Sequence, residues 1–235
     1  MGLNGDIVRV SDLSERQINE MLNLMEIYYE NVTKEKFKAD LLEKHWVILL
    51  SRNNGIRGFS TQQLFSMTID GVESLFLFSG DTIVDKNCWG SGRLPVAGVR
   101  LTLSIRADNP GRNLFWLLTT KGYMTYRFLP VFFNRFYPQH ATETPALEQR
   151  VINVLGRMKW PGRFEPGKGV IKARKNDQRL RSGIADITAR KRNDPHISFF
   201  EKVNPGHAIG DELVCLARCD ESNFKPFILH RANRR

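Results

Sequence analysis

Between Ser74 and Leu94 the chain reads SLFLFSGDTIVDKNCWGSGRL, and two features of it could do chemistry: a lone carboxylate beside a glycine, and a pair of glycines two apart. Gly90 and Gly92 let backbone N–H groups approach an anion closely, because neither has a Cβ to hold it off. A helix starting at Arg93 would aim the positive end of its dipole at the same point, which suits a pyrophosphate. Upstream, Ser79-Gly80-Asp81 interrupts an apolar strand. A strand that breaks its pairing beside a glycine turn can hold an acyl thioester and its phosphates together. The candidate carrier site is therefore the backbone of Thr82, Ile83, Val84, Trp89, Gly90, Ser91, Gly92 and Arg93.

Other reactive residue types do not assemble into motifs. His45, His140, His196, His207 and His230 show no spacing that suggests a metal site, and Ser79-Gly80-Asp81 lacks the strand–turn–helix signature of a nucleophile elbow. Cys88, Cys215 and Cys219 are an odd number without paired ligand spacing, as expected of reduced, inert thiols.

The elements that must position these groups follow from periodicity. Ile7 to Val10 is a strand candidate, and Ser14 to Gln17 has the Ser-x-x-Gln spacing of a capping box. Ile18, Met21, Leu22, Met25 and Tyr29 recur at helical spacing, and a second helix from Thr33 carries Phe37, Leu41 and Leu42 on one side. Trp46 to Leu50, Ile56 to Thr68 and the strand from Val72 are joined at Asn54-Gly55 and Asp70-Gly71, which predicts a three-stranded antiparallel meander. Gly58 predicts a bend or bulge in the second of these strands. A helix over residues 92–105 accepts Pro95 in its first turn, and Asn113 to Thr119 reads as a central strand. Ala146 to Met158 is an amphipathic helix with Leu147, Val151, Val154 and Leu155 inward. Val170-Ile171 and Glu212 to Ala217 read as strands, Ser198 to Val203 as a helix and Ala173 to Ser182 as a polar loop.

This order of elements, with the interruption at Ser79-Gly80-Asp81 and the glycine turn at 90–92, resembles the GNAT fold of acyl-CoA-dependent N-acyltransferases. The resemblance implies a mixed, mainly antiparallel α/β sheet flanked by helices. It also implies a bulged fourth strand splayed from the fifth, with the carrier's pantetheine arm in the gap. The family's phosphate loop reads Arg/Gln-x-x-Gly-x-Gly/Ala. Here the leading position is Asn87 if Gly90 and Gly92 are its two small residues, and Trp89 if Gly92 is the first. The resemblance covers roughly residues 7–137, so the chain divides into a core over 1–138 and a basic extension over 139–235 that completes the same domain.

The family's reaction requires a deprotonated amine and a protonated leaving thiolate. By position the resemblance assigns Asp81 as base and Tyr126, in preference to Tyr123, as acid. It implies acyl-CoA as co-substrate, a small-molecule amine as acceptor, and no metal. The run Phe128, Leu129, Val131, Phe132, Phe133, Phe136 and Tyr137 would by default be core. It could also wall a long acyl chain delivered by an acidic acyl carrier protein.

Net charge is +10, with cations concentrated between Arg157 and Arg192. Such a segment is a solvated face or a surface for a polyanion, whether acyl carrier protein or nucleic acid. The rival to an enzyme is a GNAT-fold binding module that uses this face and performs no chemistry. No apolar run approaches the ~20 residues of a membrane span, and the N-terminus lacks a signal-peptide core, so a cytoplasmic location is the expectation.

Overall fold

The computed structural model describes residues 2–234. Strands β1 (Asn4–Arg9), β3 (Trp46–Arg52), β4 (Gly55–Ile69), β5 (Val72–Val84), β6 (Asn113–Thr120), β7 (Phe164–Glu165), β8 (Val170–Ile171) and β10 (Glu212–Arg218) form one eight-stranded sheet. Its order is β1-β3-β4-β5-β6-β10-β8-β7, and every pairing is antiparallel except β5 with β6. Strands β2 (Tyr29–Glu30) and β9 (Arg179–Leu180) make a separate two-stranded ladder. The helices are α1 (Glu15–Tyr28), α2 (Lys34–Leu42), α3 (Arg93–Asp108), α4 (Tyr123–Tyr126), α5 (Phe128–Phe132), α6 (Ala146–Lys159), α7 (Pro195–Val203) and α8 (Pro226–Asn233). Among the described residues no helix is long and apolar enough to cross a membrane.

Strand alternation sends successive side chains to opposite faces, and the cores follow it. Leu75, Leu77, Leu114, Leu118, Leu213 and Cys215 face α3, α4, α5, α7 and α8 on one side. On the other side Val47, Leu49 and Phe59 pack on α1 and α2, while Phe76, Phe78, Leu117 and Val214 pack on α6.

Local signals worked where one turn decides the conformation. Ser14 and Gln17 form the reciprocal capping box, and Asp70 and Gly71 take positive φ in the β4–β5 hairpin. The β3–β4 hairpin turns one residue earlier than expected, at Asn53-Asn54, both with positive φ, and Gly55 opens β4. The irregularity expected near Gly58 is a register shift opposite Leu50 and Ser51. The expected inward faces need correction at three positions. Leu42 is 78% exposed and Leu147 55% exposed, with Val154 also on the surface, because α2 and α6 each bury a narrower stripe than their apolar residues would allow. Tyr29 leaves α1 and enters β2, so Tyr28 takes the core position. The loop expected over 173–182 contains β9, recruited by β2 from far away in sequence.

Candidate active site

The site forms where β5 leaves β6. The parallel pairing runs from Ser74 with Asn113 to Ser79 with Leu118 and stops there. Beyond that point β5 continues to Val84 on β4, whereas β6 continues to Thr120 on β10. At the parting, Ser60 pairs with Thr82 and Gln62 with Ser79, so Gly80 and Asp81 together oppose Thr61. This two-against-one count is a β-bulge, which bends the strand and re-aims its side chains. It lies at the interruption visible in the sequence.

Buried polar groups pin the bulge. The Trp116 indole N–H donates to Ser79 Oγ at 2.7 Å, and Ser79 Oγ donates to Gln62 Oε1 at 2.9 Å. Gln62 Nε2 donates to Ser60 Oγ at 2.8 Å, and Ser60 shares a 2.7 Å hydrogen bond with Thr82. Gly80 is sterically required: a Cβ there would sit 2.7 Å from Thr61 Oγ1 and 3.1 Å from Lys44 Cε.

The gap opens into a cavity of about 850 Å³. Of the residues expected at the site, Asp81, Thr82, Ile83, Val84, Trp89, Gly90, Ser91 and Gly92 line it, together with Tyr123. Arg93 is exposed and lies outside the lining; its N–H is held by Ser91 Oγ at 3.4 Å. Tyr126 requires correction. It is 0% exposed, packs against Phe136 and Phe200, and donates its hydroxyl to the Pro138 carbonyl at 3.0 Å. Burial pushes its phenol well above the ordinary tyrosine range. The short helix α4 buries both tyrosines in one core cluster, but Tyr123, at 6% exposure, also lines the cavity, whereas α7 closes over Tyr126. From the aromatic run, Phe128, Val131 and Phe132 reach the cavity, while Leu129, Phe133 and Phe136 are buried.

At the other end of the lining, Asp81 accepts a 2.8 Å hydrogen bond from Gln178 Nε2, in the segment leading into β9. Burial pushes the Asp81 carboxyl up to about 6. Asp40 reinforces that shift and Glu212 adds to it weakly, while the Gln178 hydrogen bond and Lys121 oppose it. Glu212 is itself bridged to Lys121 at 2.9 Å, and Asp40 to the buried Lys44 at 2.7 Å. Tyr29 stands in the same lining, its hydroxyl made harder to ionise by burial and by Asp81.

The carrier end is built differently. Gly90 and Gly92 have φ of 76° and 68°, a left-handed conformation that admits glycine without strain. Their N–H groups have no backbone partner among the described residues, and α3 begins here with no acidic residue in its first turn. Unsatisfied donors at a helix start suit a phosphate or diphosphate. Cys88, next to the turn, is buried and unbonded to other cysteines. Among the described residues no group of three or more His, Cys, Asp or Glu gathers as a metal site would require.

Sequence reasoning missed Tyr29, Asp40, Lys121, Gln178 and Glu212 at one end, and Phe227 and Arg231 at the other. None lies in a motif; their common property is placement by contacts distant in sequence.

No family model matches the chain, and no curated protein matches it. Solved structures do. A conserved Enterococcus faecalis protein described as a probable N-acyltransferase aligns at 15% identity and TM-score 0.41, over 53% of this chain and 31% of that one. The match therefore spans about a third of that protein's length. An Escherichia coli GNAT-family N-acetyltransferase, YhbS, solved with CoA, aligns at 14% identity and TM-score 0.39, over 55% of this chain and 69% of that one. An aminoglycoside acetyltransferase from an uncultured soil sample, solved with sisomicin, aligns at 15% identity and TM-score 0.38, over 54% and 82%. The strand order, the parallel β5–β6 pair and the bulge at its parting make the fold itself GNAT-like.

Proposed function

We propose, from this GNAT-like fold, that the protein moves an acyl group from an acyl-CoA thioester to a small-molecule amine. One observation carries the reading: a single cavity joins a glycine turn with free N–H groups to a desolvated carboxylate at the bulge.

The chain's own residues would divide the work as follows. Gly90, Gly92 and the start of α3 receive phosphate oxygens, and the β5 backbone from Thr82 to Val84 runs along the carrier arm. Asp81, ionised above about pH 6, takes a proton from the acceptor's ammonium group and leaves a nucleophilic amine. The amine nitrogen bonds to the acyl carbon, the carbon–sulfur bond breaks, and the thiolate collects a proton. The nitrogen, cationic after attack, gives up its second proton to the group that protonated the thiolate, leaving a neutral amide. Tyr123, the cavity-lining tyrosine of α4, is the proposed donor of the thiolate's proton in place of Tyr126. Gln178 holds Asp81 in orientation through its amide N–H. Asp40 and Glu212 favour a cationic acceptor near Asp81, because each adds negative potential there.

The acyl carrier protein alternative has less support on the surface that suggested it. Lys172 pairs with Asp211, Arg179 with Glu30 at 2.8 Å, and Arg181 donates to the Glu26 carbonyl at 3.1 Å. Much of the basic segment is thus spent on this chain's own acids and carbonyls.

The test combines binding with turnover. Native mass spectrometry should show one CoA or acetyl-CoA bound per chain, and a panel of primary amines with acetyl-CoA should identify an acceptor by thiol release. Tyr123→Phe should then lower kcat ~10²-fold with little change in CoA affinity, while Tyr126→Phe keeps kcat within a few-fold. Failure to bind any CoA thioester would remove the reading.

A further inference from the structure

The loop's leading position offers Asn87 or Trp89 where the resembling family has Arg or Gln, and the cations that flank the turn, Lys86 and Arg93, lie outside the cavity lining. A cation that does line the cavity beside the turn comes from the other end of the chain. Helix α8 packs on α3 through Ile228 and Ala232, and Arg100 Nε clamps its last turn by donating to the Ala232 carbonyl at 2.9 Å. Phe227 and Arg231 each precede one of these buried residues and are four apart, so they share the neighbouring face. Both line the cavity. Nη1 of Arg231 lies 3.5 Å from where a Cβ on Gly92 would stand, which puts the guanidinium directly over the turn. It is exposed and forms no ion pair among the described residues.

Phe227 adds a flat apolar surface. One side of its ring packs against Phe132, with centroids 6.0 Å apart, yet the residue remains 43% exposed. Trp89 opens onto the same cavity at 46% exposure, its indole fixed by a 2.7 Å N–H donation to the Val84 carbonyl. An open aromatic face one helical turn from an exposed guanidinium, beside backbone donors with no partner among the described residues, has the chemistry of a nucleotide site. A base stacks on the ring, and phosphates meet the guanidinium and the amides.

We propose that α8 is a nucleotide clamp: Phe227 stacks on the adenine of coenzyme A, and Arg231 completes the phosphate site at Gly90 and Gly92. The proposal rests on the thioester-carrier reading above and sharpens it, because it selects a carrier with an adenosine phosphate end over one that presents phosphopantetheine on a protein.

Calorimetry on the full chain decides it, with CoA, adenosine 3′,5′-bisphosphate and 4′-phosphopantetheine as ligands for wild type, Phe227→Ala and Arg231→Ala. Both substitutions fall on exposed positions, and thermal melts verify that each variant is folded. Arg231→Ala should weaken CoA and the bisphosphate ~10-fold or more. Phe227→Ala should weaken the same two ligands by ~5-fold or more while changing phosphopantetheine by less than ~2-fold. Wild-type binding of CoA with unchanged affinity in both variants overturns the clamp and leaves the carrier reading standing. Wild-type binding of phosphopantetheine as tightly as CoA also overturns the clamp and turns the carrier toward a protein-borne arm. No binding of any of the three overturns both.

Discussion

Asp81 carries a stability cost that an ordinary surface aspartate would not. Its carboxyl titrates at 3.8 when exposed and at about 6 in the folded chain, chiefly through burial. Between those values the folded state holds more protons than the unfolded state, so stability falls as pH rises through the window. The cost is fully present above about pH 6 and is of order ~3 kcal/mol before allowing for solvent in the cavity. Asp81→Asn should therefore raise stability by ~1–3 kcal/mol at roughly pH 8 and by almost nothing at roughly pH 3, measured by urea unfolding, while lowering kcat ~10²-fold or more. Equal stabilisation at both pH values would refute the shifted carboxyl. Gln178→Leu is the companion variant. Among the groups facing Asp81 are Asp40 of α2, Glu212 of β10, Lys121 after β6 and Tyr29 of β2, and Gln178 is its hydrogen-bond donor. Removing that donor destabilises the carboxylate, so the acid limb of kcat/KM should move to higher pH; an unmoved limb would make Gln178 merely structural.

The element that matters most is β5. It must pair with β6 up to Ser79, bulge, and then run alone with β4 to Val84. Hydrogen bonds among Ser60, Gln62, Ser79, Thr82 and Trp116 fix the register on both sides of the bulge, and Gly80 lets Lys44 and Thr61 pack against it. Gly80→Val should cost ~1–3 kcal/mol by forcing these neighbours apart, and should weaken CoA binding because the strand edge that faces the carrier moves with the bulge. Gly98→Ala in α3 is the opposite case. Its Cβ would make ordinary contact, 3.7 Å from Ile48 Cδ1, so the gain in helix propensity should raise stability by ~0.5–1 kcal/mol. Thermal melts of the two variants should move in opposite directions, and an unchanged or raised melting temperature for Gly80→Val would show that Gly80 does not hold the bulge.

At the scale of the molecule, residues after 138 pack against those before it. Strand β10 covers the free edge of β6 from Leu213 opposite Thr120 to Arg218 opposite Phe115, and its residues Leu213 to Ala217 are almost wholly buried. The extension also returns across the cavity, where Asp177, Gln178, Leu180 and Ile184 form part of the wall. Its cations are anchored locally and to the core: Arg163 to Asp177, Arg179 to Glu30 and Arg192 to Glu201. Water screens such exposed pairs, so they set the segment's path more than the protein's stability. A fragment of residues 1–138 would leave an apolar edge strand unpaired and should aggregate or remain molten, whereas the full chain should unfold in one cooperative transition. A soluble fragment with a cooperative melt would show that the core is a domain by itself.

What the sequence determined by itself was local. Capping at Ser14, positive φ at Asp70-Gly71, the glycine turn and the apolar strands are each decided within a few residues, by sterics and by the nearest hydrogen-bond donors. Order of elements then limited the fold, because a parallel β5–β6 pair joined through α3 leaves few ways to lay the strands. Tertiary structure decided the rest. Tyr123 and Tyr126 are indistinguishable by spacing after β6, and the packing of Phe200 and Phe136 on Tyr126 left Tyr123 as the one that lines the cavity. Leu147 and Val154 fit a helical stripe but found no neighbour to bury them. Gln178 reaches Asp81 across 97 residues of chain, and Arg231 meets the glycine turn from the last helix. Such contacts leave no periodicity to read, since they form only after the sheet has brought distant segments to one edge.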